Sequence, residues 1–99
     1  MSKWPDYVIT AVRYDGDTIE RVRVYEGDGE QLTDRQTRSR TAVMLSLFVQ
    51  RDYCTAYQDG NGEWRKGADV ETVDVDGTTY IRTDGNDIAS DDLGELPDF

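Results

Sequence analysis

ADVETVDVDGTTYIRTDGNDIASDDLGELPDF, residues 68–99, decides how this chain is read. Two runs rich in valine, threonine and aromatic residues meet at Asp76-Gly77, a dipeptide that readily takes the positive φ angles of a tight hairpin turn. A two-residue turn would place Val75 opposite Thr78, Val73 opposite Tyr80 and Glu71 opposite Arg82, with an apolar pair and an ion pair on one face. A three-residue bulged turn would shift the pairing by one and set Ile81 beside Val73. Asp84-Gly85-Asn86 then marks a further turn and opens an irregular C-terminal tail, residues 84–99. Leu93, Leu96 and Phe99 recur at every third position, and Gly94 and Pro97 both oppose helix. The spacing predicts an extended segment docked on the core.

Upstream, Asp59-Gly60-Asn61-Gly62 is a turn between the short strands Tyr53–Tyr57 and Glu63–Lys66, the second carrying Trp64 as a core anchor. Ser39 is the expected N-cap of a single apolar helix from Arg40 to about Gln50. At 100° per residue Val43, Met44, Leu47 and Phe48 share one broad face, while Ala42, Leu45 and Val49 continue round the far side. One helix on one sheet leaves Leu45 and Val49 uncovered unless the C-terminal tail lies over them or a second subunit meets them, which makes them candidate interaction residues.

Pro5 precedes the first strand, Tyr7–Tyr14, which is apolar on both faces and therefore expected at the centre of a curled or barrel-like sheet. Asp15-Gly16-Asp17 turns the chain into Thr18–Tyr25, where Val22 and Val24 alternate with Arg21, Arg23 and Tyr25. The two arginines share one face, either as a small ligand patch or as a solvated face paired with local carboxylates. Residues 26–38 hold Leu32 as their only large apolar side chain and are expected to form a mobile loop. Arg35, Arg38 and Arg40 cluster, and are expected to pair with the chain's own Asp-rich loops.

Ninety-nine residues make a single domain, 1–99, with one modest core. The chain carries 21 acidic and 11 basic residues, for a net charge of −10. Asp outnumbers Glu by 15 to 6 and Arg outnumbers Lys by 9 to 2. That bias suits a halophilic protein kept hydrated at high salt. A GC-rich bacterium or its phage gives a similar Arg excess, and imitation of nucleic acid is a third source of acidity. The acids run from Asp6 to Asp98 with one long gap, between Asp34 and Asp52, and this dispersal favours salt adaptation. There is no membrane-length apolar run and no signal-peptide layout, so a soluble, cytoplasmic protein is expected.

Several of these stretches are familiar together. YVITAVRYD, the Arg40 that leads into an apolar helix, Val75-Asp76-Gly77, YIRTDGN and the closing DDLGELPDF resemble a family of small prokaryotic proteins known as domain of unknown function 3892. The likeness covers almost the whole chain. That family more often has asparagine at the position of Asp92, a departure in keeping with the general acidity. The resemblance implies no activity, cofactor or catalytic residue.

Chemistry is sparse in the residues themselves. The absence of histidine removes the commonest general base and most zinc sites. Asp91-Asp92 and Asp84 with Asp87 are carboxylate pairs, yet Asp84-Gly85-Asn86-Asp87 lacks the ligand spacing of a calcium loop. The lone Cys54 sits in an apolar run, as a small buried hydrophobe does. No metal, cofactor or enzymatic activity is expected. Direct nucleic-acid binding is disfavoured by the charge, although Arg13, Arg21, Arg23 and nearby aromatics could form a local patch.

The expected fold is α+β: a mostly antiparallel, curled or barrel-like sheet of five or six strands with one apolar helix. Its expected core is Tyr7, Val12, Val22, Val24, Val43, Leu47, Phe48, Trp64, Val73 and Tyr80. The expected role is a non-enzymatic protein-interaction or structural module, binding a protein partner or a second copy. The alternative is a nucleic-acid mimic that inhibits a DNA-binding defence protein.

Overall fold

A computed structural model describes residues 4–16, 18–28, 31–84, 88–94 and 96–99. Asp17 and Gly85–Asp87, which belong to predicted turns and to the Asp84/Asp87 pair, lie outside them. Among the described residues seven strands and one helix follow in the order β1 (Tyr7–Asp15), β2 (Thr18–Asp28), β3 (Gln31–Ser39), α1 (Arg40–Phe48), β4 (Tyr53–Gln58), β5 (Trp64–Asp69), β6 (Glu71–Val75) and β7 (Thr78–Arg82). The first five strands form one sheet in the order β3-β2-β1-β4-β5, and β6 and β7 form a separate hairpin. Among the described strands the pairings are antiparallel except β1 with β4, and Arg82 makes an isolated parallel bridge to Asp92. No helix among the described residues is long and apolar enough to cross a membrane.

The fold is α+β, as expected, and β1 is central, but the sheet is open rather than barrel-like. Its edges, β3 and β5, do not pair with each other. Both are polar strands with mostly exposed residues along β5, so closing them together would bury charges without partners. The two apolar faces of β1 are instead served by two separate clusters. Ile9, Val12, Ile19, Val22, Val24, Val43, Tyr53, Val70, Ile81 and Leu93 form the larger one, with Tyr7, Met44, Leu47 and Leu96 packed against it. On the opposite face Trp4, Val8, Cys54 and Ala56 form the smaller, with Leu32 and Trp64 against them. Gly27 lets the chain cross here, since a Cβ at that position would run into the Pro5 carbonyl.

Four of the expected core residues, Val12, Val22, Val24 and Val43, are buried, and Tyr7, Leu47, Trp64, Val73 and Tyr80 are half-buried. Phe48 is the clear correction, being 59% exposed. Tyr53, Ile9, Ile81 and Leu93 take the central volume instead.

Residues 26–38 need a second correction: Glu26–Asp28 finish β2, and Gln31–Ser39 form β3 against it. An edge strand needs ladder bonds on one side only, so few apolar side chains suffice. Arg38 anchors this strand, with its guanidinium 4.3 Å from the Tyr7 ring centre and Nη1 donating to Tyr53 Oη and Ser46 Oγ, both at 3.3 Å. Asp34, at φ 49°, accompanies the irregularity that shifts the register opposite Val24 and Glu26.

The hairpin adopts the two-residue turn. Asp76 and Gly77 have φ of 50° and 85°, and Val75 pairs with Thr78, Val73 with Tyr80 and Glu71 with Arg82. The ion pair expected between Glu71 and Arg82 gives way to a different one, because Arg82 turns inward and bonds Asp84.

Candidate functional site

The most ordered polar constellation lies where β2, α1, β7 and the tail converge. The Asp91 side chain is fully buried, and every direction around its carboxylate is filled. Arg40 Nε donates to Oδ2 at 2.6 Å and Nη2 to Oδ1 at 3.2 Å, while the Ile19 and Ile81 amides donate to Oδ2 and Oδ1 at 2.7 and 2.8 Å. Arg40 Nη2 also donates to the Thr79 carbonyl at 2.7 Å. A buried carboxylate with four donors is a clamp: no lone pair remains to accept a substrate proton.

Arg82 repeats the arrangement one residue after Ile81. It is 2% exposed, donates from Nε and Nη2 to the two carboxylate oxygens of Asp84 at 2.8 Å each, and from Nη1 to the Ser90 carbonyl at 2.9 Å. The bond to Asp84 holds its guanidinium above the ordinary arginine range. Asp92 stands 3.5 Å from Arg82 Nη2. The Asp84 and Asp92 carboxylates therefore neutralise an arginine.

Cys54 is buried, and desolvation pushes its thiol up to about 11. It is a protonated, apolar side chain at neutral pH, as its sequence setting suggests. In the β4–β5 turn, Asp59 is held below the usual carboxylate range, first by the Asn61 amide and then by Arg65.

Two surfaces are left, on opposite sides of the sheet. On the last turn of α1 and its C-cap, Leu45, Phe48 and Val49 stand in solvent at 60, 59 and 69% exposure. The tail does not reach them. Leu93 enters the main core, the Pro97 carbonyl accepts from the Val12 amide at 2.9 Å, and the Phe99 ring lies against Arg23, 4.8 Å from its guanidinium carbon. The expected cover for Leu45 and Val49 is therefore corrected: the tail closes the flank of β1 beyond its short pairing with β4. Phe48 joins the ridge because it lies about 60° from Leu45 and about 140° from Val43 on the helical wheel, a signal already present in the spacing.

On the far face, Arg21 and Arg23 are joined by Arg13, which pairs directly across the strands with Arg21. Among the described residues no side-chain carboxylate forms an ion pair with these three, the ion pairs of arginine there involving Arg40, Arg65 and Arg82. Of the expected cluster Arg35, Arg38 and Arg40, Arg40 is the one that forms an ion pair with an Asp-rich segment among the described residues.

A family model described as Protein of unknown function (DUF3892) matches residues 8–97. The comparisons with curated proteins and with solved structures find no match. The matched span includes Arg40, Ile81 and Asp91 of the buried clamp, and with a match over nearly its whole length this chain belongs to the DUF3892 family.

Proposed function

We propose that this protein is a non-enzymatic interaction module that docks through the ridge Leu45–Phe48–Val49, and that the first occupant of the ridge is a second copy of the chain. The observation that carries this reading is the exposure of three large apolar side chains on a helix with no charged residue between Arg40 and Arg51. In a molecule of net charge −10 two copies repel across most of their surfaces. The 17 positions from Arg35 to Arg51 hold no acid, so this is the face that identical copies bring together without opposing carboxylates. Burial of three such side chains offers roughly 1.5–3 kcal/mol each before the cost of association, which sets a weak, concentration-dependent dimer.

Acids distributed over β2, β3, β5 and β6 support salt adaptation as the source of the charge, and no observation favours the nucleic-acid mimic. Light scattering coupled to size exclusion, at low and high salt, tests the docking. Self-association should strengthen with salt, as repulsion is screened, and vanish in a Leu45→Glu/Val49→Glu variant that still folds. A strictly monomeric wild type at high concentration and high salt would sink the reading.

A further inference from the structure

We propose that the outer face of the sheet, opposite α1, binds a phosphate-bearing ligand with a planar ring, a mononucleotide by chemical class. Its phosphate sits on Arg13, Arg21 and Arg23, and its ring in the adjoining pocket against Tyr57 and Trp64.

The arginines are the first argument. Arg13 and Arg21 are exposed and directly opposed on β1 and β2, a like-charge pairing that costs stability. Carboxylates outnumber basic residues nearly two to one in this chain, yet none of those described forms an ion pair with Arg13, Arg21 or Arg23. A tetrahedral dianion bridging two guanidinia turns that repulsion into paired, charge-assisted hydrogen bonds. The Phe99 ring lies 4.8 and 6.0 Å from the guanidinium carbons of Arg23 and Arg13, and its backbone oxygen takes Arg13 Nε, at 2.8 Å, so the phosphate would use the guanidinium N–H groups that bond no other described residue.

The second argument is the pocket, about 450 Å³, lined by Thr10, Tyr57, Gln58, Trp64, Leu96 and Pro97. Tyr57, 52% exposed, and Trp64, steadied by Tyr25 at 5.8 Å between ring centres, both contribute to its lining, Trp64 from the strand position paired with Gln58 and Tyr57 from the position next to it. The exposed Gln58 and the buried Thr10 supply the polar groups of its lining. The pocket adjoins the arginines on two counts: the Thr10 hydroxyl donates to the Arg23 carbonyl at 3.5 Å, and the tail runs from Leu96-Pro97 directly to Phe99. An aromatic slot beside a guanidinium cluster matches a ring joined to a phosphate. The net charge of −10 selects a small ligand over a polymer, because every further phosphate would meet an acidic surface.

The test is a titration of the isotope-labelled full chain at low ionic strength with AMP, inorganic phosphate and adenosine, followed by amide and indole NMR shifts. AMP should saturate, move the Trp64 indole and the Arg21 and Arg23 amides together, and bind more tightly than either fragment. Arg21→Gln should weaken AMP about tenfold, leave adenosine unchanged, and melt no lower than the wild type, since Arg13 loses its like-charged opposite. The proposal is overturned if AMP gives no saturable shift at millimolar concentration, if Arg21→Gln binds AMP as the wild type does, or if a single-stranded oligonucleotide binds more tightly than AMP.

Discussion

Asp91 shows how one side chain can hold four parts of a chain together. Its carboxylate accepts from β2 through Ile19, from β7 through Ile81, and from α1 through both arms of the Arg40 fork. Burying such a charge is costly, and the fourfold donor set is what offsets it. Replacing Asp91 by Ala leaves two buried amides without an acceptor and strips the Arg40 guanidinium of its counter-charge, so urea denaturation should find a loss of about 3–5 kcal/mol. A loss under about 1 kcal/mol would show that the clamp is not holding these elements. Sequence reading weighed Asp91 as half of a carboxylate pair with Asp92, and nothing in the local residues tells the two apart. They diverge because the backbone turns Asp91 into the core and leaves Asp92 half-buried beside Arg82.

Among the elements, the β6–β7 hairpin was the most readable. Asp76-Gly77 declares its turn locally, and the turn then sets the register of every pair down to Glu71 and Arg82. Since Gly77 sits at φ 85°, Gly77→Ala should cost about 1–2 kcal/mol by chemical denaturation, and Gly77→Asn should recover much of that loss. Equal stability of all three would mean that the turn is not the primed type. The helix was readable in its start, where Ser39 Oγ accepts from the Ala42 amide at 3.2 Å, and in its packing through Val43, Met44 and Leu47. β3 was not readable. Its side chains carry almost no apolar periodicity, and what makes it a strand is the free edge of β2 together with Tyr7 and Tyr53, which hold Arg38.

At the scale of the molecule, the tail turns a half-paired sheet into a closed core. β4 pairs with β1 only from Tyr7 to Ile9, and the segment around Pro97 takes up the Val12 amide beyond that point. Removing residues 96–99 should cost about 1–3 kcal/mol, through loss of Leu96 packing and the Pro97 bond, and should speed hydrogen exchange at the Val12 amide. Exchange along α1 should stay unchanged. Faster exchange there would restore the tail as the cover of Leu45 and Val49. By itself the sequence determined the hairpin at Asp76-Gly77, the N-cap of α1 and its packing through Val43, Met44 and Leu47 though not the outward turn of Phe48, the central place of β1, and the acidity with its one gap over the helix. These follow from φ preferences, side-chain period and charge, all of them properties of neighbouring residues. Only the tertiary structure decided that the sheet stays open, that a polar run becomes β3, that Asp91 and Arg40 meet, and that the tail crosses to Arg13 and Arg23 and leaves the ridge bare. Each of these depends on ladder bonds, buried charge pairing or burial between residues far apart in the chain, whose partners the local pattern does not name.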